Sequence, residues 1–149
     1  MSEEAIYEHL RREIDSRMPL GFPETADKKA IRLLAMLFTP EEARVAGFLS
    51  VLGESLEKIH RRVTKAGIHI SVEDLRVMLD GLLAKDAIFG TRGGPQTARY
   101  SLPQFAIGFY ETQVDHLTPE FSVLADEYGK EAFYMEFNHP GRPRQIRTI

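Results

Sequence analysis

The apolar residues of this chain recur at helical spacing over most of its length. Ile6, Leu10, Ile14 and Met18 stand four apart, one stripe of an amphipathic helix from Glu3 to about Met18. Pro19-Leu20-Gly21-Phe22-Pro23 ends it, because both prolines and the glycine oppose continuation; Leu20 and Phe22 are expected to tuck this connector onto the core. From Asp27, the positions of Ile31, Leu34, Leu37 and Phe38 predict a second short helix. Thr39-Pro40-Glu41-Glu42 then carries three agreeing start signals: Thr as N-cap, Pro in the first turn, and Glu42 completing a capping box. That helix is expected to run to about Leu49.

Residues 54–102 hold the clearest pattern. Leu56, Ile59 and Val63 share one face of a helix from Glu54 to Ala66, and Gly67 is placed to stop it as a left-handed cap. Ser71 caps the next helix, with Asp74 as a weaker capping-box partner. Its inward stripe is Val72, Leu75, Leu79 and Leu82, flanked by Met78 and Leu83. Two short extended runs follow, 87–91 and 97–101, around the Gly93-Gly94-Pro95 turn, which predicts a β-hairpin. Helix, short turn, helix, hairpin is the order of a winged helix-turn-helix, with its core at about 27–102. Beyond Pro103, helices near 104–116 and 119–136 are expected, the second announced by Thr118-Pro119-Glu120. Residues 138–149 are Pro/Arg-rich and predict an extended tail. The expected architecture is mostly α: a single winged-helix domain over 1–137 with a small hairpin wing, an N-terminal helix and two C-terminal helices.

Composition narrows the function classes. The 149 residues include no cysteine, so disulfides, thiolate-bound zinc, iron–sulfur ligation and a thiol nucleophile are excluded within this chain. No run of about 18 apolar residues occurs, so no membrane-spanning helix is expected, and the acidic N-terminus lacks a signal core. The default location is cytoplasmic. The net charge of −3 is segregated. Residues 54–100 carry 8 basic and 6 acidic groups, whereas residues 101–140 carry 1 basic and 7 acidic. The second region also holds most of the chain's aromatic residues, and of these Phe105, Phe109, Tyr110, Phe121, Tyr128 and Phe133 are the candidates for a partner or homodimer surface.

In a helix-turn-helix the second helix presents its outward side chains to bases and phosphates. Here that face is Ser71, Glu73, Asp74, Arg76, Val77 and Asp80, three carboxylates against one guanidinium. Carboxylates near phosphates repel, and DNA affinity is largely a sum of cation–phosphate contacts. Arg76 is the one base reader on the helix. Arg61, Arg62, Lys65, Arg92 and Arg99 are candidate phosphate contacts, and serve equally as solubilising charge and helix-dipole compensation.

Catalytic signatures are missing. Glu57-Lys58-Ile59-His60 has the Glu-x-x-His spacing of di-iron helices, but such sites need this pattern on two facing helices together with two further carboxylates, which the spacing by itself does not supply. The five histidines form no His-x-x-x-His pair, and there is neither a phosphate loop nor a nucleophile elbow. No metal site, no cofactor and no enzymatic activity are expected of this chain.

Three stretches carry a family resemblance: Met18-Pro19-Leu20-Gly21-Phe22-Pro23, Ile31-Arg32-Leu33-Leu34, and Leu37-Phe38-Thr39-Pro40-Glu41-Glu42-Ala43. Together with Ile107-Gly108-Phe109-Tyr110-Glu111-Thr112-Gln113 and the tail Pro143–Ile149, they resemble the N-terminal region of bacterial and archaeal four-iron–four-sulfur ferredoxin-type proteins. The resemblance implies a winged-helix-like domain that precedes a Cys-rich, cluster-binding half. That half is missing here, so 4Fe-4S clusters are implied only for a region beyond Ile149, and the chain is expected to be an N-terminal fragment. The leading expectation is a non-catalytic winged-helix interaction domain that docks a protein partner or self-associates. The alternative is a DNA-binding winged-helix transcriptional regulator; a third reading, a small-molecule pocket among the aromatics, has no polar groups visibly converging on it.

Overall fold

The computed structural model describes residues 2–17, 21–102 and 118–133. Met18, Leu20, the helix expected near 104–116 with Phe105, Phe109 and Tyr110, the Phe133 side chain and the tail 138–149 lie outside the described residues.

The described residues are mostly helical, with one small antiparallel sheet. Helix α1 spans Glu3–Arg17 and buries Ile6, Leu10 and Ile14, the expected stripe, together with Tyr7. Tyr7 is amphipathic and spends both ends: its ring packs inward while its hydroxyl donates to the Phe38 carbonyl at 2.6 Å. Helix α2, Lys29–Leu37, begins after a left-handed Lys28 (φ 59°) whose side chain does not cap it. Glu24 from the connector does so instead, accepting from the Ala30 and Ile31 amides at 2.8 and 3.0 Å. A carboxylate at these orphan donors also meets the positive end of the helix dipole.

Thr39 caps α3, Pro40–Ala46, in a complete capping box: the Thr39 side chain accepts from the Glu42 amide and Glu42 accepts from the Thr39 amide. Helix α3 ends at Ala46 rather than near Leu49, yet Leu49 is still fully buried.

Helix α4 spans Leu56–Lys65 and α5 spans Val72–Ala84. Gly67 (φ +92°) ends α4 as expected. Its amide donates to the Thr64 carbonyl and the Ile68 amide reaches back to Val63, the paired bonds of a Schellman motif. The hairpin strands are β1, Phe89–Thr91, and β2, Arg99–Ser101, with Gly90 opposite Tyr100. A Cβ at Gly90 would lie 2.1 Å from the Arg99 carbonyl oxygen, so only glycine fits there. Glu54 does not start α4 as expected; its backbone bridges Tyr100 in both directions at 3.0 Å and adds a one-residue third strand to the hairpin.

Helix α6, Pro119–Tyr128, is capped by Thr118 and continues as a π-helical turn, Gly129–Phe133. It packs on α2, while α1 packs on α2 and α3, and α4 on α5. One cluster of buried side chains runs through the six α-helices and β2, from Ile6 to Tyr128. Phe22 does tuck the connector inward: it is fully buried and meets the Tyr128 ring edge-on at 5.3 Å, and the Tyr128 hydroxyl donates to the Pro23 carbonyl at 2.8 Å.

Candidate functional site

The α4–α5–hairpin unit presents the surface singled out by the sequence. Leu56, Ile59 and Val63 of α4 face Leu75, Leu79 and Leu82 of α5 within the core, which turns the other face of α5 to solvent. Ser71 caps α5 by accepting from the Asp74 amide at 3.0 Å; no return bond from the Asp74 side chain completes a box. Val72 stands at 47% exposure, so it leaves the expected inward stripe, and Val77 at 58% joins it outside. Val72 precedes Leu75 in the first turn, where no element among the described residues covers it. The outward face is thus two carboxylates at Glu73 and Asp74, two exposed valines, and the half-buried Arg76 and Asp80.

Arg76 is fully engaged by its own helix. Its Nη2 and Nε donate to Glu73 at 2.5 and 3.1 Å, and its Nη1 donates to Asp80 at 3.0 Å. Both partners lie one turn away, where i,i+3 and i,i+4 side chains meet. The Glu73 carboxyl is held below its ordinary range by the Arg76 bonds, and the same bonds push the guanidinium pKa further up. The other Asp80 oxygen accepts from the Tyr100 hydroxyl at 2.7 Å. A continuous polar chain therefore runs Glu73–Arg76–Asp80–Tyr100 from the helix face to the hairpin. Burial, and then the Asp80 carboxylate, raise the Tyr100 pKa to about 12.

The remaining cations divide into two groups. Arg62 is committed inward: Nη1 and Nη2 grip both oxygens of Glu54, and Nη1 also donates to the Phe48 carbonyl at 2.6 Å. Arg99 turns its Nη1 onto the Gln96 and Ala98 carbonyls of its own hairpin at 3.1 and 2.8 Å. Arg61, Lys65 and Arg92 are exposed and make no hydrogen bond or ion pair among the described residues. The six candidate cations therefore do not act as one set; three are bound into the fold or the helix face, or folded back on the hairpin.

Phe121 and Tyr128, read from the sequence as partner-surface candidates, are 4% and 0% exposed. Their rings are inside this chain's own core, and the large apolar side chain that α6 leaves exposed is Val123 at 58%. The Glu57/His60 spacing does not assemble a ligand pair either, since His60 Nε2 donates to the Ile70 carbonyl at 2.8 Å. Among the described residues no cluster of three or more His, Asp or Glu is placed to hold a metal ion, and no helix is long and apolar enough to cross a membrane.

Sequence reasoning missed Glu54 as the buried anchor of this unit. The signal was present: Glu54, Lys58 and Arg62 stand four apart, and both cations reach the one carboxylate, at 3.2 and 2.7 Å. No protein family, no curated protein and no solved structure matches the chain.

Proposed function

We propose that residues 27–102 form the core of a winged helix-turn-helix whose helix α5 serves as a docking face for a protein partner, and that the domain is non-catalytic. One observation carries this reading. Arg76, the sole cation on the outward face of α5, is closed between Glu73 and Asp80, so the face offers carboxylates and two exposed valines in place of a free guanidinium. Apolar area ringed by acidic groups fits a protein surface with a basic rim better than a phosphate backbone. The resemblance to the N-terminal region of ferredoxin-type proteins points to a Cys-rich cluster-binding half as the partner. Sequencing the reading frame past Ile149 tests that identification: cysteine clusters support it, and a stop codon removes it.

A second reading, a DNA-binding regulator, is favoured by Arg61, Lys65 and Arg92, which are exposed and unpaired among the described residues. Fluorescence anisotropy with a labelled duplex at low salt separates the two. The docking reading expects only weak binding; tight binding that falls steeply with salt and is weakened by Arg92→Ala would transfer the function to DNA.

A further inference from the structure

Between α1 and the turn that follows α4 lies a cleft of about 200 Å³, lined by Ile6, His9, Arg44, Phe48, Ala66 and Ile68. None of these residues belongs to α5 or the hairpin, so the cleft is independent of the docking face. Its walls are apolar apart from two groups, the His9 imidazole and the Arg44 guanidinium. The His9 and Phe48 rings lie 5.9 Å apart and tilted by 48°, forming one aromatic wall. Gly47 makes room for that wall. Its backbone is right-handed (φ −60°), so conformational freedom is not what glycine supplies there. A Cβ at 47 would instead stand 3.0 Å from His9 Cδ2 and 3.2 Å from Nε2, and would push the imidazole aside. Arg44 is exposed and makes no hydrogen bond or ion pair among the described residues.

We propose that this cleft binds a small monocarboxylate with an apolar body, the carboxylate on Arg44 and the body against Ile6, Phe48 and Ile68. Guanidinium presents a planar fork of donors that matches a carboxylate, which an apolar cleft otherwise rejects. The size agrees, since a dry cavity of about 150 Å³ accepts a benzene-sized body and this cleft is somewhat larger and open at one side. A ligand seated there touches α1, α3 and the end of α4 together, and so bridges the N-terminal helix to the α4–α5 unit.

The test is a chemical-shift titration of the labelled protein with benzoate, with benzyl alcohol and acetate as controls. Benzoate is expected to give saturable shifts centred on the amides of Ile6, His9, Gly47, Phe48 and Ile68. Arg44→Gln, a change at an exposed position, is expected to weaken benzoate about tenfold while leaving benzyl alcohol unchanged, in line with loss of one charge-assisted contact. Acetate, which lacks the apolar body, is expected not to saturate. Shifts confined to other surfaces, benzoate binding unchanged in Arg44→Gln, benzyl alcohol binding as tightly as benzoate, or acetate saturating alike would each overturn the proposal.

Discussion

Arg62 grips Glu54 through two parallel bonds, Nη1 to Oε1 at 2.8 Å and Nη2 to Oε2 at 2.7 Å. The carboxylate is 7% exposed, and the backbone of the same residue pairs with Tyr100 of the hairpin. One ion pair therefore fastens α4 to the sheet. Removing the cation strands a buried charge, which is costlier than never having paired it. Arg62→Ala is expected to lower unfolding free energy by about 2 kcal/mol in urea titrations, less than for a fully buried pair because the guanidinium is 35% exposed and Lys58 remains nearby. A change below about 0.5 kcal/mol would show that the clamp is not stabilising.

Acid sensitivity is expected at Glu8. Arg11 donates to both of its oxygens at 2.8 and 2.9 Å, Arg12 adds a third bond at 2.8 Å, and the Arg11 bonds above all hold its pKa at about 2 against burial, which opposes them. Because the folded-state value lies below the ordinary 4.5, its stabilisation is complete above pH 4.5 and is lost as pH falls toward 2. Glu8→Gln should flatten that limb of the stability–pH curve by about 1 kcal/mol, a figure reduced for solvent screening. An unchanged slope in the variant would remove Glu8 as the source.

Three glycines predict three different outcomes under the same alanine change. Gly67→Ala meets nothing within 4 Å but must hold a φ of +92°, so it should cost about 1 kcal/mol through the backbone alone. Gly81→Ala also meets nothing, inside helix α5, and should stabilise by roughly 0.5–1 kcal/mol. Gly90→Ala drives a methyl into the Arg99 carbonyl and should cost several times the Gly67 change, opening the hairpin. Thermal unfolding of the three variants orders them; a neutral Gly90→Ala would contradict the close approach of the two strands.

Tyr100 should ionise near pH 12 in an absorbance titration. Its folded value lies above the ordinary 10.0, so the stabilisation it contributes is whole below pH 10 and disappears as pH rises through 12. Tyr100→Phe removes that step and leaves Asp80 to Arg76 alone. A Tyr100→Phe protein that still shows the step would reassign it.

Helices and caps were legible because they are local. Thr39 with Glu42, Ser71, Gly67 and Thr118 are each decided within four residues of chain, and all four sit where their spacing placed them. What was not legible depends on contacts between distant segments. Val72 has the helical phase of the inward stripe, but among the described residues no element covers it. Glu54 continues the α4 charge pattern, yet pairing with Tyr100 takes its backbone into the sheet. The spacing of the α6 aromatics suits either a core or a partner surface, and the structure decides for the core: the helix packs on α2, and Tyr128 is met by Phe22, more than a hundred residues away in sequence. The candidate face was legible in its charge but not in its closure, since side-chain pairing of Arg76 with both neighbours is a matter of rotamer.

That closure leads to a prediction about latent DNA affinity. Glu73, Asp74 and Asp80 outweigh Arg76 on the outward face of α5, and Asp80 must stay because it also holds Tyr100. Glu73→Gln with Asp74→Asn keeps the Ser71 cap, which uses the Asp74 backbone amide, and brings the face from −2 to neutral. Arg76 is then released on one side, and Arg61, Lys65 and Arg92 of α4 and the hairpin are already exposed. If the carboxylates are what keep this face of α5 off duplex DNA, the double variant should bind a labelled duplex about tenfold more tightly than the natural chain at low salt, with a log–log salt slope steeper by about one unit. Equal binding by the two proteins would mean that α5 never approaches the duplex, and the carboxylates would then have no part in setting DNA affinity.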